Sequence, residues 1–100
     1  NVMILVKLAK QGIDAEIMHS HNRIVVSNKE LYLSGIPGQF VSLLPLGENV
    51  FINETKGLKY KIKNRELPLD APYGISNVLL ETKAEITIAS GWLMGIIAED

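Results

Sequence analysis

Apolar positions along this chain fall into short runs that mostly alternate with polar ones. The first segment differs. On a helical wheel Val2, Leu5, Val6, Leu8 and Ala9 share one broad face, with Lys7, Lys10 and Gln11 opposite. Asn1 can cap the start, and Gly12 stands where a left-handed residue closes a helix. Residues 1–11 therefore predict an amphipathic helix. Residues 13–19 and 23–28 flank Ser20-His21-Asn22 and predict a hairpin. Strands are predicted next at 30–34, 39–44 and 50–53, divided by Asn28-Lys29, by Gly35-Ile36-Pro37-Gly38 and by a turn over 45–49. Residues 54–57 predict a hairpin loop, and residues 66–74, with Pro68 and Pro72, the longest irregular connection. Strands at 77–82, 84–89 and 92–98 complete the chain. Turn signals about every eight to twelve residues predict a mainly β (α+β) domain, a small antiparallel sandwich or barrel with one N-terminal helix.

Between these segments lies the chain's most concentrated chemistry, Leu-Lys-Tyr-Lys-Ile-Lys-Asn-Arg at residues 58–65. As a β-strand it points Leu58, Tyr60 and Ile62 one way and Lys59, Lys61, Lys63 and Arg65 the other. With Lys56, five of the ten basic residues fall within ten positions that hold no acid. Such a row first suits the protection of a sheet edge against pairing, and alternatively the phosphates of a lipid headgroup or nucleic acid. Tyr60 faces away from the row, which disfavours stacking on nucleic-acid bases.

The early segment Arg23-Ile24-Val25-Val26-Ser27-Asn28-Lys29-Glu30-Leu31-Tyr32-Leu33 resembles the first hairpin of pleckstrin-homology-like barrels. The resemblance implies such a barrel as the alternative fold.

Composition narrows the choices. One hundred residues, 47% apolar with Ile, Leu and Val supplying 32 positions, suit a single domain with an aliphatic core. A first residue other than Met is compatible with a piece of a longer parent. A net charge of −1 leaves anion binding to a local patch. The absence of cysteine excludes disulfides and thiol-based metal sites and fits the cytoplasm, the expected location. No apolar run approaches the ~20 residues of a membrane helix, and no signal peptide is expected.

Candidate chemistry is sparse. His19-Ser20-His21, with Asp14 and Glu16 upstream, could begin a zinc site, but a turn at Ser20 would splay the two imidazoles, so no metal and no cofactor is expected. No serine lies in a Gly-x-Ser-x-Gly setting. Glu81 and Glu85 would stand ~13 Å apart on a strand, too far for a close acid–base pair. Gly35-x-x-Gly38 lacks the lysine of a phosphate loop. Asn53-Glu54-Thr55 fits a glycosylation triplet without a secretory context. The apolar C-terminal segment first reads as central core strands; the competing reading makes Trp92, Leu93, Met94 and Ile96 interface candidates, residue types suited to a buried contact. The expectation is a non-enzymatic protein-interaction or assembly module with a protein partner or self-association. The alternative is an anion-binding module using Lys56, Lys59, Lys61, Lys63 and Arg65.

Overall fold

The computed structural model describes residues 2–70 and 74–99. The proposed cap at Asn1, Pro72 of the expected irregular connection and the terminal Asp100 lie outside the described residues. Among the described residues one helix, α1 (Val2–Lys10), precedes nine strands: β1 (Ile17–His19), β2 (Asn22–Ser27), β3 (Glu30–Ser34), β4 (Phe40–Pro45), β5 (Val50–Lys56), β6 (Lys63–Leu67), β7 (Ile75–Val78), β8 (Lys83–Ser90) and β9 (Leu93–Ala98).

The strands form two antiparallel sheets stacked as a sandwich, with orders β1-β2-β9-β4-β7 and β3-β8-β5-β6. Most connections after β2 carry the chain from one sheet to the other, so alternate residues of both sheets meet between them. Val41, Leu43, Leu93 and Ile97 point inward from the first sheet; Leu31, Leu33, Val50, Ile52 and Ile86 do so from the second. All nine are at most 2% exposed. Full burial of such a side chain stabilises by roughly 1.5–3 kcal/mol. Gly95 on β9 faces the second sheet: a Cβ there would sit 2.9 Å from Leu31 Cδ2 and 3.0 Å from Leu33 Cδ2, so those side chains would have to shift to admit one.

The predicted helix is present, and its end follows the expected chemistry. Gly12 N–H donates to the Ala9 carbonyl at 3.0 Å and Ile13 N–H to the Leu8 carbonyl at 2.9 Å, the paired bonds of a Schellman ending. Leu5 and Val6 bury against the outer face of the first sheet, on Val26, Ile24, Met94 and Trp92. Lys10 lies 5.9 Å from the Trp92 ring centre.

Two expectations change here. The segment that resembles a pleckstrin-homology hairpin contains β2 and β3, but these strands do not pair. β2 pairs with β9 and β3 with β8, in opposite sheets, so the fold is the sandwich. The predicted strand at 58–65 exists only from Lys63 onward. Leu58 and Ile62 are buried as expected, at 2% and 4% exposure, but Tyr60 is 57% exposed.

Side chains explain why the ladder breaks. β5 runs on to Lys56, and Gly57 then turns with φ 82°. A Cβ on Gly57 would lie 2.2 Å from the Lys83 carbonyl oxygen. Leu58 crosses to bridge Leu79. Asn77 Oδ1 accepts from Tyr60 N–H at 3.0 Å, and Asn77 Nδ2 donates to the Tyr60 carbonyl at 2.8 Å. Thr55 Oγ1 accepts from Ile62 N–H at 3.0 Å. Buried polar groups need such partners, and here side chains on β7 and β5 supply them to the intervening loop.

Candidate functional site

The outer face of the five-stranded sheet is half covered. Register aligns Ile24, Ile96, Ser42 and Ser76 in one row across β2, β9, β4 and β7. Neighbouring rows carry Met94 opposite Leu44 and Phe40 opposite Val78. Because side chains alternate, all these residues point away from the core that Val41, Leu43 and Asn77 enter. The helix packs over the β2 end and Met94. Phe40, at 69% exposure, and the exposed Ser76 stand at the opposite end.

This face pairs an apolar field with two directed hydroxyls. Ser42 and Ser76 are directly opposite on adjacent strands, a relation that brings Cβ atoms within ~4.5–5.5 Å. Neither hydroxyl is taken up by a hydrogen bond to another described side chain. Flanked by an exposed aromatic ring, they can bind a flat, partly polar ligand. Composition gave no sign of this arrangement, because Ser42 and Ser76 are 34 positions apart in sequence. A polar residue at an outward position of each strand was the available signal.

The expected cationic row is not assembled. Lys56 on β5 stands opposite Glu85 on β8, and Lys63 on β6 stands opposite Glu54 on β5. Opposite charges in cross-strand register offset each other. Lys59 lies 5.4 Å from the Tyr60 ring centre in the loop. Lys61 joins Lys56, Lys63, Glu54 and Glu81 around an open groove of about 730 Å³. Arg65 is exposed on β6, the edge strand of its sheet.

The interface candidates divide by face. Leu93 is 0% exposed in the core. Trp92 and Met94 pack under the helix, and Ile96 is half-buried on the candidate face. His19 is exposed at the end of β1, and Ser20 takes φ 56° in the turn before His21. Glu16, considered with the histidines, instead lies 3.7 Å from Arg23. Among the described residues no three His, Asp or Glu side chains gather as a metal site.

The family profile described as thiamin pyrophosphokinase, vitamin B1 binding domain, matches residues 21–93, which hold Phe40, Ser42 and Ser76. The chain belongs to this family. Among solved structures, Geobacillus thermodenitrificans thiamin pyrophosphokinase aligns with a TM-score of 0.81 at 27% identity, over 100% of this chain and 46% of that one. Bacillus subtilis thiamine pyrophosphokinase aligns with a TM-score of 0.81 at 24% identity, over 100% and 48%. The yeast enzyme aligns with a TM-score of 0.74 at 19% identity, over 97% and 34%, a likeness of fold, as is that to the Bacillus enzyme. This thiamin pyrophosphokinase-family chain thus spans about half the length of the bacterial enzymes. No curated protein matches the sequence.

Membership corrects the functional expectation. A non-enzymatic protein-binding or assembly module gives way to a vitamin-binding domain of an enzyme family. The alternative anion-binding module falls with it, and its basic strand is largely a loop. Among the described residues no helix is long and apolar enough to cross a membrane.

Proposed function

We propose that this chain is the thiamin-binding part of a thiamin pyrophosphokinase, and that thiamin lies on the outer sheet face between Phe40 and the Ser42–Ser76 pair. The observation that carries the proposal is the family match across residues 21–93. The face supplies what thiamin needs. Its aminopyrimidine offers hydrogen-bond donors and acceptors to two hydroxyls, and its cationic thiazolium suits the face of an aromatic ring, worth ~0.5–1 kcal/mol at an exposed site. The partner is then a small vitamin, and the place of action is the cytoplasm. Pyrophosphoryl transfer belongs to a protein longer than this chain, as the half-length coverage of the bacterial enzymes supports.

Titration of the ¹⁵N-labelled chain with thiamin tests the site. Amides of Phe40, Ser42 and Ser76 should shift together and saturably. Ser42→Ala and Ser76→Ala should each weaken binding about 2–10-fold, the loss expected for one net hydrogen bond. Shifts confined to other surfaces, or unchanged affinity in both variants, would refute the placement.

A further inference from the structure

One end of the sandwich is closed by polar side chains rather than aliphatic ones. Arg23 on β2 and Glu99, just after β9, both turn inward at this end, with side chains only 19% and 26% exposed. Arg23 Nε donates to Glu99 Oε1, and Arg23 Nη2 donates to the Ser34 carbonyl. Gln39 enters from the other side. Its Nε2 donates to Glu99 Oε2 at 3.4 Å, while its Oε1 accepts from Ile36 N–H at 2.8 Å. Gly35 is the residue that lets the cluster close: a Cβ there would lie 2.2 Å from Gln39 Oε1 and 3.2 Å from Arg23 Nη2.

The cluster therefore grips one turn. Backbone bonds hold that turn elsewhere, since Gly38 N–H donates to the Leu79 carbonyl at 2.8 Å and Leu79 N–H to the Gln39 carbonyl at 2.9 Å. The Ile36 end depends on Gln39, through the 2.8 Å side-chain bond and a 3.1 Å bond from Gln39 N–H to the Ile36 carbonyl. Gln39 in turn is linked to Glu99 by its 3.4 Å bond. Phe40 follows Gln39 directly. Its inward neighbour is thus fixed by the cluster, while its own ring stands at the edge of the sheet face.

We infer that Glu99, held by Arg23, is a positioning residue for ligand binding: through Gln39 it sets the 36–39 turn and with it the aromatic edge that Phe40 presents. This rests on the thiamin face proposed above. Glu99 does not touch that face, because inward and outward residues alternate along β9 and Glu99 falls in the inward set with Leu93 and Ile97. The Arg23 guanidinium holds its carboxyl below the ordinary 4.5, in keeping with a carboxylate that stays charged in the cluster.

The test combines hydrogen exchange and thiamin titration on the native chain, Glu99→Ala, Gln39→Ala and the double variant. In Glu99→Ala the Ile36 amide should exchange at least tenfold faster. The Gly38 amide, bonded to backbone, and the β4–β9 ladder amides should keep their rates. Thiamin affinity should fall about 3–10-fold, Gln39→Ala should do the same, and the double variant should lose no more than either alone. Additive losses, unchanged Ile36 exchange, or native affinity in Glu99→Ala would overturn the positioning role while leaving the thiamin face intact. A native chain that does not bind thiamin would overturn both. If Glu99→Ala does not fold, Glu99→Gln decides by the same two measurements, because it keeps the side chain's length, replaces one of its two acceptor oxygens with a donor, and leaves the Gln39–Ile36 bond in place; native Ile36 exchange and native affinity in that variant would overturn the positioning role.

Discussion

Asn77→Ala isolates the interaction that turns an expected strand into a loop. Asn77 is 1% exposed. Its Oδ1 accepts from Tyr60 N–H at 3.0 Å and Val78 N–H at 2.9 Å, and its Nδ2 donates to the Tyr60 carbonyl at 2.8 Å. A net hydrogen bond contributes about 0.5–1.5 kcal/mol, so three sum to about 3 kcal/mol. The Tyr60 side chain is 57% exposed, so water can reach the freed loop and return part of that loss. A destabilisation of about 2–3 kcal/mol is expected. For a domain of this size it corresponds to a fall in Tm of roughly 8–24 °C. Urea unfolding followed by circular dichroism gives the free energy, and hydrogen exchange at Tyr60 locates it. The Tyr60 amide should lose protection while the β4–β9 ladder retains it relative to global stability. A loss below about 0.5 kcal/mol, or an unchanged Tyr60 rate, would refute the account of the loop.

Three further outcomes follow from the same structure. Ile62→Asp should abolish folding or cost more than ~4 kcal/mol, because it places a charge at a site 4% exposed, whereas exposed Lys61→Ser should change stability by less than ~0.5 kcal/mol, both read by urea unfolding. The hydrogen bond from Tyr32 to Glu30 pushes the phenol up to about 12 from 10.0; its stabilising share is complete below pH 10 and disappears as the pH rises through 12, and ¹³C-tyrosine titration of Glu30→Gln should bring the midpoint back toward 10. The depressed Glu99 carboxyl acts in the opposite sense: its share is complete above the ordinary 4.5 and is lost as the pH falls through its lower folded value, and Arg23→Gln should move the ¹³C carboxyl midpoint up toward 4.5.

Local pattern alone determined much of this protein. The wheel of residues 2–10, the break at Gly12 and the alternation through Leu31 and Leu33, or Ala84, Ile86 and Ile88, each depend on a few neighbouring positions, and the helix, β3 and β8 form where those positions say. The sandwich class follows because many short half-apolar strands must cover one another. Alternation could not distinguish a strand from a loop at residues 58–62. Leu58 and Ile62 are inward in either case, and the deciding partners, Asn77 and Thr55, come from other strands. It also could not place β2 and β3 in different sheets, since their separation depends on whether β9 or β3 claims the edge of β2. The basic cluster stayed open to an anion-binding reading because sequence shows which cations are adjacent, but not which acids stand across the sheet; Glu54 and Glu85 reach Lys63 and Lys56 only through strand pairing. The candidate face has the same origin. Ser42 and Ser76 become neighbours when β4 and β7 pair, and the Phe40 ring comes to stand beside them because the core takes Val41 and leaves its neighbours outside.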